Sequence, residues 1–310
     1  MESFLNAVQA VSVILLLTAT GYLCGAKGWM KGESKAFLSK FLLSVAVPCM
    51  CVYGIRANLT REMLAESLRP LAVPFLCNTV SVLVSFLLAR LLKLPRKQLG
   101  VFVVMCSFSN AMFIGYAMCL ELFGEACVPY VMLYYFASIC FNQTLGMGLI
   151  RWSGESGQGK RRNPLRFLAT PAVLGLLTGV AMVALDLQPP SFLASYLRYI
   201  SGVVSPVALL LTGYIIYELG LDKLRIDRPL AVALAYRFLA APATYAVCCA
   251  LLGVRGLARD TLLVEAAMPV LTQTVVGAAE YGADEQLAAR GAAITTLSSF
   301  VVVPVLMMLL

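Results

Sequence analysis

Two short polar interruptions mark a chain that has few polar residues to spend. The first is Cys106-Ser-Phe-Ser-Asn-Ala-Met-Phe-Ile-Gly-Tyr-Ala117, which carries Ser107, Ser109, Asn110 and Gly115. The second is Glu265-Ala-Ala-Met-Pro-Val-Leu-Thr-Gln-Thr274, which carries Pro269, Thr272 and Gln273. A proline removes one backbone donor and clashes with the carbonyl four residues earlier, so it opens a helix. In a bilayer, freed backbone groups are tolerated where they line a cavity. Such groups, with neutral amide and hydroxyl donors beside them, suit binding of a small polar solute. Each residue alone also fits a bland reading, since a buried asparagine can bond a neighbouring helix for about 1 kcal/mol. It is the paired placement, described below, that favours binding.

Arg237 and Glu265 are charges inside apolar runs. Each costs roughly 3 kcal/mol on insertion scales. They could pair with each other. Alternatively, Arg237 could meet an anionic substrate and Glu265 could carry a proton, making Glu265 the ion-coupling candidate in a chain without histidine. Asn142, Gln143 and Thr144, with Thr295, Thr296, Ser298 and Ser299, form a secondary polar path or a set of interhelical hydrogen bonds. No cofactor or metal is expected. The ten cysteines lie in or at the start of apolar runs and include no CxxC pair. The phosphate-loop pattern G-x-x-x-x-G-K-[ST] is absent, which argues against an ATP-driven pump within this chain.

These residues have to be positioned by helices in lipid. Hydrophobic residues make up 60% of the chain and charged residues 13%, and the mean hydropathy is +0.85. A soluble domain is nearer half apolar and a quarter charged, so an all-α membrane protein is expected. A hydrocarbon core of about 30 Å takes some 20 helical residues. Ten runs meet that length, at roughly 4–24, 35–55, 70–91, 99–120, 127–150, 166–185, 198–218, 229–252, 259–280 and 286–309. We number them as spans 1 to 10. Leu5 to Cys24 reads as a retained span, because Lys27 and Lys31 follow it rather than a small-residue cleavage site.

Of the 24 Lys and Arg residues, 17 fall in or beside the odd-numbered connections and six in the even ones. The excess of basic residues marks the cytoplasmic side, so both termini are expected outside the cytoplasm. A net charge of +8 then needs no nucleic-acid partner; attraction to anionic lipid accounts for it.

The chain divides into 1–150, a basic linker at 151–165 containing Lys160-Arg161-Arg162, and 166–310. An offset of 158 takes Gly21 to Gly179, Val45 to Val203, Pro48 to Pro206 and Gly124 to Gly282. It also takes Ala111, next to Asn110, to Pro269. Five spans per half is an odd number, so the second half would be inverted. Broken helices at matching positions of two halves point to a transporter's binding site. Gly21-x-x-x-Gly25 and Gly175-x-x-x-Gly179 suit close helix packing.

Phe108-Ser-Asn-Ala-Met-Phe-Ile-Gly115, Met268-Pro269, Ala279-Glu-Tyr-Gly-Ala-Asp284, Ile294-Thr-Thr-Leu-Ser-Ser299 and Pro304 resemble the auxin efflux carrier family of membrane transport proteins. The resemblance covers essentially the whole chain. The family's asparagine-to-glycine spacing is kept by Asn110 and Gly115, while its usual proline two residues later is Ala117 here. The resemblance implies ten spans in two inverted halves, with broken spans 4 and 9 crossing at the binding site. It implies a scaffold of spans 1, 2, 6 and 7 that can form a homodimer, and a moving body built from the other six. It also implies small organic anion substrates such as auxin, malate or malonate. The leading expectation is a secondary transporter of a small carboxylate in the cell (inner) membrane. Alternatives are a sodium- or proton-coupled symporter of a bulkier amphipathic anion, as in the related bile-acid transporter fold, and a membrane sensor without flux.

Overall fold

The computed structural model describes residues 2–154, 169–220 and 224–308. The Lys160-Arg161-Arg162 cluster, most of the 151–165 linker, and Lys223 lie outside the described residues. Twelve helices are labelled here in chain order: α1 Glu2–Ala26, α2 Gly32–Asn58, α3 Leu68–Leu91, α4 Arg96–Ser107, α5 Ala111–Phe123 and α6 Val128–Phe141. The remaining six are α7 Pro171–Ala184, α8 Ser191–Leu219, α9 Arg228–Leu252, α10 Gly256–Ala266, α11 Gln273–Tyr281 and α12 Glu285–Met307. The last turns of α6 widen over Asn142–Gly146 and run on as Met147–Ser153. The described residues are helical, with no strand beyond one isolated bridge.

Among the described residues, six helical stretches are long and apolar enough to cross a membrane, and α5 and α7 are shorter apolar helices. The chain is a multi-pass membrane protein. Large apolar side chains such as Leu16, Leu87, Phe192, Leu251 and Val301 are exposed on its outside, which only lipid can cover.

Close helix contacts rest on glycines, as their spacing predicts. A Cβ on Gly21 of α1 would lie 1.9 Å from the Leu210 carbonyl oxygen of α8, and one on Gly213 of α8 would lie 1.8 Å from that of Thr18. A Cβ on Gly175 of α7 would lie 2.6 Å from the Pro48 carbonyl oxygen of α2. Helix starts are capped by side chains where the chain turns. The Asp227 carboxylate accepts from the Leu230 N–H and the Asp284 carboxylate from the Leu287 N–H. Gln98 Nε2 then donates to Asp284 Oδ2 at 2.9 Å, tying the start of α4 to that of α12.

Two prolines leave their mark inside long helices. Pro48 follows a widened turn at Leu42–Ala46, and Pro242 follows one at Tyr236–Ala240. Each widened turn contains the carbonyl four residues before the proline, the group its ring would strike in a regular helix. The second of these turns carries Arg237.

Candidate functional site: a crossing of two broken helices

Neither span 4 nor span 9 is a continuous helix. α4 stops at Ser107, where Phe108 is extended (φ −120°, ψ 131°), and α5 begins after Asn110. α10 stops at Ala266, and α11 begins at Gln273. The two gaps meet. Ser109 and Val270 form an antiparallel bridge. The Asn110 N–H donates to the Pro269 carbonyl at 2.8 Å, and the Leu271 N–H donates to the Phe108 carbonyl at 3.3 Å. Each break thus supplies the backbone partners that the other has lost. The α4–α5 break forms without a proline of its own. The pairing with Pro269 and Leu271 takes its place.

Side chains complete the accounting. Thr295 Oγ1 on α12 accepts from the Val270 N–H at 3.0 Å. Asn110 Nδ2 donates to Thr272 Oγ1 at 3.2 Å, and Asn142 Nδ2 donates to Gln273 Oε1 at 3.2 Å. The Ser109 hydroxyl lies 2.7 Å from that of Tyr134, whose ring meets that of Tyr245 at a tilt, with centroids 5.5 Å apart. Asn110, Ser109, Gly115, Pro269 and Asn142 are buried, whereas Thr272, Gln273 and Gln143 are half-buried. The buried Thr296 hydroxyl donates to the Ala292 carbonyl one turn back in its own helix. The structure therefore gathers Ser109, Asn110, Pro269, Thr272 and Gln273 at one point, with Asn142 alongside.

Arg237 is 1% exposed and does not pair with Glu265. Its Nε donates to the Met268 carbonyl at 2.8 Å and one Nη to the Cys106 carbonyl at 2.9 Å. In an uninterrupted helix the Cys106 carbonyl would accept from the N–H four residues on, that of Asn110, which here turns to Pro269 instead. Arg237 fills that vacated place and also bonds the Met268 carbonyl in the gap just beyond α10. The other Nη is buried without a hydrogen-bond partner.

Glu265 is 0% exposed. Its carboxyl lies against Gly115, where a Cβ would stand 2.2 Å from Oε2. Cys119 Sγ donates to Oε1 at 3.6 Å, and Oε2 has no partner. Glu265 on α10 is thus wedged onto the first turn of α5. Sequence reasoning missed Tyr134 and Tyr245 as members of this cluster, and it placed Thr295 on the secondary polar path, where it in fact caps the break at Val270. Tyrosine in apolar helices carries no signal until the fold sets it beside a break. A separate open basin of about 600 Å³, lined by Arg69, Arg255, Tyr130 and Ser67 among others, contains none of the crossing residues.

The crossing of two broken helices lies within a bundle of apolar helices, and comparison with known proteins gives the family. The family described as membrane transport protein matches residues 6–307. The chain belongs to this family. An uncharacterized transporter of Methanocaldococcus jannaschii is 27% identical over 303 residues, covering 96% of each chain. A second uncharacterized transporter, from Methanothermobacter thermautotrophicus, is 25% identical over 304 residues, covering 97% of each. Family membership points to a membrane transporter rather than an enzyme.

Proposed function

We propose that the protein is a secondary transporter that moves a small carboxylate across the cell membrane by alternating access, binding it where α4–α5 crosses α10–α11. The observation that carries this reading is the pairing of the two breaks through Ser109 and Val270. That pairing sets the N-termini of α5 and α11 beside one another. The first N–H groups of a helix lack helical acceptors, and the end carries about half a positive charge. A carboxylate is a natural partner for such ends. Asn110, Thr272 and Gln273 add neutral donors, which hold an anion without the tight ion pair that would slow its release.

The reading includes ten spans in two inverted halves, 1–150 and 166–310. Support comes from contacts related by the same offset of 158. Gly21 faces Leu210, while Gly179 faces Cys51 and Val52; adding 158 to 21 gives 179, and adding it to 52 gives 210. Helix pairs α1–α8 and α7–α2 are thus equivalent contacts, as an inverted repeat requires. Spans 1, 2, 6 and 7 would form the scaffold and any homodimer surface. Both termini would lie outside, with the 151–165 linker in the cytoplasm. Glu265, buried with one free oxygen, is the group that would bind and release a proton if transport is proton-coupled.

Counterflow in proteoliposomes tests this reading, using labelled mono- and dicarboxylates with and without imposed sodium and proton gradients. Saturable exchange of at least one acid is the expected result. A protein that binds acids but exchanges none would be a sensor. A protein that neither binds nor exchanges any acid would end the proposal.

A further inference from the structure

We propose that Arg237 is a specificity-determining residue that acts without touching the substrate, by cancelling the two negative helix ends at the crossing. This rests on the reading of the crossing as an anion site. Four helix ends converge there: the C-termini of α4 and α10 and the N-termini of α5 and α11. Each end is equivalent to about half a charge, negative at a C-terminus and positive at an N-terminus. Left alone, the four sum to about zero, and the site has no preference for an anion over a neutral solute. Arginine adds one fixed positive charge. It is placed at the negative ends, donating to the carbonyl of Cys106 in the last turn of α4 at 2.9 Å and to that of Met268, two residues beyond α10, at 2.8 Å. With Glu265 protonated, the crossing is left with about one net positive charge, displayed by the N-termini of α5 and α11; an ionised Glu265 carboxylate, lying against Gly115 of α5, would offset it. One net positive charge is the complement of a single carboxylate.

The geometry also makes Arg237 a clamp. Its planar fork reaches both breaks at once, which the single point donor of a lysine cannot do with the same geometry. A guanidinium that is 1% exposed and bonded to two main-chain carbonyls is held in place by the backbone, with one Nη left over. Arg237 is therefore a positioning residue, and the groups proposed to meet the substrate remain Asn110, Thr272 and Gln273.

The test compares the purified full-length protein with Arg237→Gln and Arg237→Lys. Hydrogen–deuterium exchange over 104–115 and 265–275 reads the clamp. Thermal-shift titration with indole-3-acetate and with its neutral amide reads the charge. In Arg237→Gln, exchange at the Asn110 and Leu271 amides should accelerate together, by about tenfold or more for loss of charge-assisted hydrogen bonds. The ratio of acid to amide affinity should fall by a similar factor. Arg237→Lys should restore that ratio but not full protection, and it serves alone if the glutamine variant does not fold. Unchanged exchange, or faster exchange in only one of the two segments, overturns the clamp. Equal losses of acid and amide affinity overturn the charge role. If the parent binds neither probe, the anion-site reading fails for this acid, and the exchange measurement alone decides whether Arg237 clamps the crossing.

Discussion

Asn110 does three jobs at one position. Its N–H ends α4 by turning to Pro269, its carbonyl starts α5 by accepting from Ile114 and Gly115, and its side chain reaches Thr272. Only the last is lost in Asn110→Ala. Transport should therefore fall by at least about tenfold, the cost of an unmatched polar contact, while expression and thermal midpoint stay near the parent's. Uptake at matched protein levels checks this; unimpaired uptake would move the site towards Asn142 and Gln273. Glu265 and Gly115 make a second test. If transport is proton-coupled, Glu265→Gln, which keeps shape and burial but cannot ionise, should leave uptake in place while abolishing its response to an imposed proton gradient. Gly115→Ala pushes a Cβ to 2.2 Å from the carboxyl oxygen, so the carboxyl must move. Its uptake should show the same loss of gradient response. A Glu265→Gln variant that still responds fully would remove Glu265 from the coupling, and a fully responding Gly115→Ala would show that the carboxyl works from a shifted position.

Among the elements, the glycine contacts decide how closely helices approach. A Cβ on Gly213 would meet the Thr18 carbonyl oxygen at 1.8 Å, whereas one on Gly202, in the same helix, meets nothing within 4 Å. Gly213→Ala should force α1 and α8 apart and cost about 1–3 kcal/mol, as overpacking does. Gly202→Ala should be neutral or gain up to about 1 kcal/mol from helix propensity. Apparent unfolding midpoints in detergent, measured side by side, compare the two. If both variants melt with the parent, the α1–α8 contact is looser than the geometry indicates. The broken helices follow a different rule. α4 and α10 end because a competing backbone partner lies across the gap, so neither break is a property of its own segment alone. Pro269→Ala restores one N–H, yet the Asn110–Pro269 carbonyl bond and both Arg237 bonds remain available. The crossing should therefore survive it, with exchange at Asn110 raised less than in Arg237→Gln.

At the scale of the whole molecule, the proposed orientation follows from 17 basic residues beside odd connections against six beside even ones. Single cysteines placed in the 151–165 linker of a cysteine-free variant should resist a membrane-impermeant maleimide on intact cells and react after permeabilisation. Labelling from outside would invert the assignment. That charge bias, like the spans themselves, is readable from residue order alone. Hydrocarbon rejects charge and unpaired backbone, so apolar runs of about 20 residues had to be membrane helices, and small residues at a spacing of four had to be contact points. The residues of the crossing were also legible, because proline and asparagine inside such runs are costly wherever they lie. Their partners were not. Arg237 and Glu265 share opposite charge and mid-span positions, and sequence reasoning left a direct ion pair between them open. The tertiary structure instead gave Arg237 to the Cys106 and Met268 carbonyls and set Glu265 on Gly115. The physical reason is that a broken helix creates backbone acceptors whose location depends on where the second break lies. Those acceptors, costly to leave buried and unpaired, are satisfied by the guanidinium through charge-assisted hydrogen bonds. Two segments 158 residues apart have to meet before they exist, and only the folded chain brings them together.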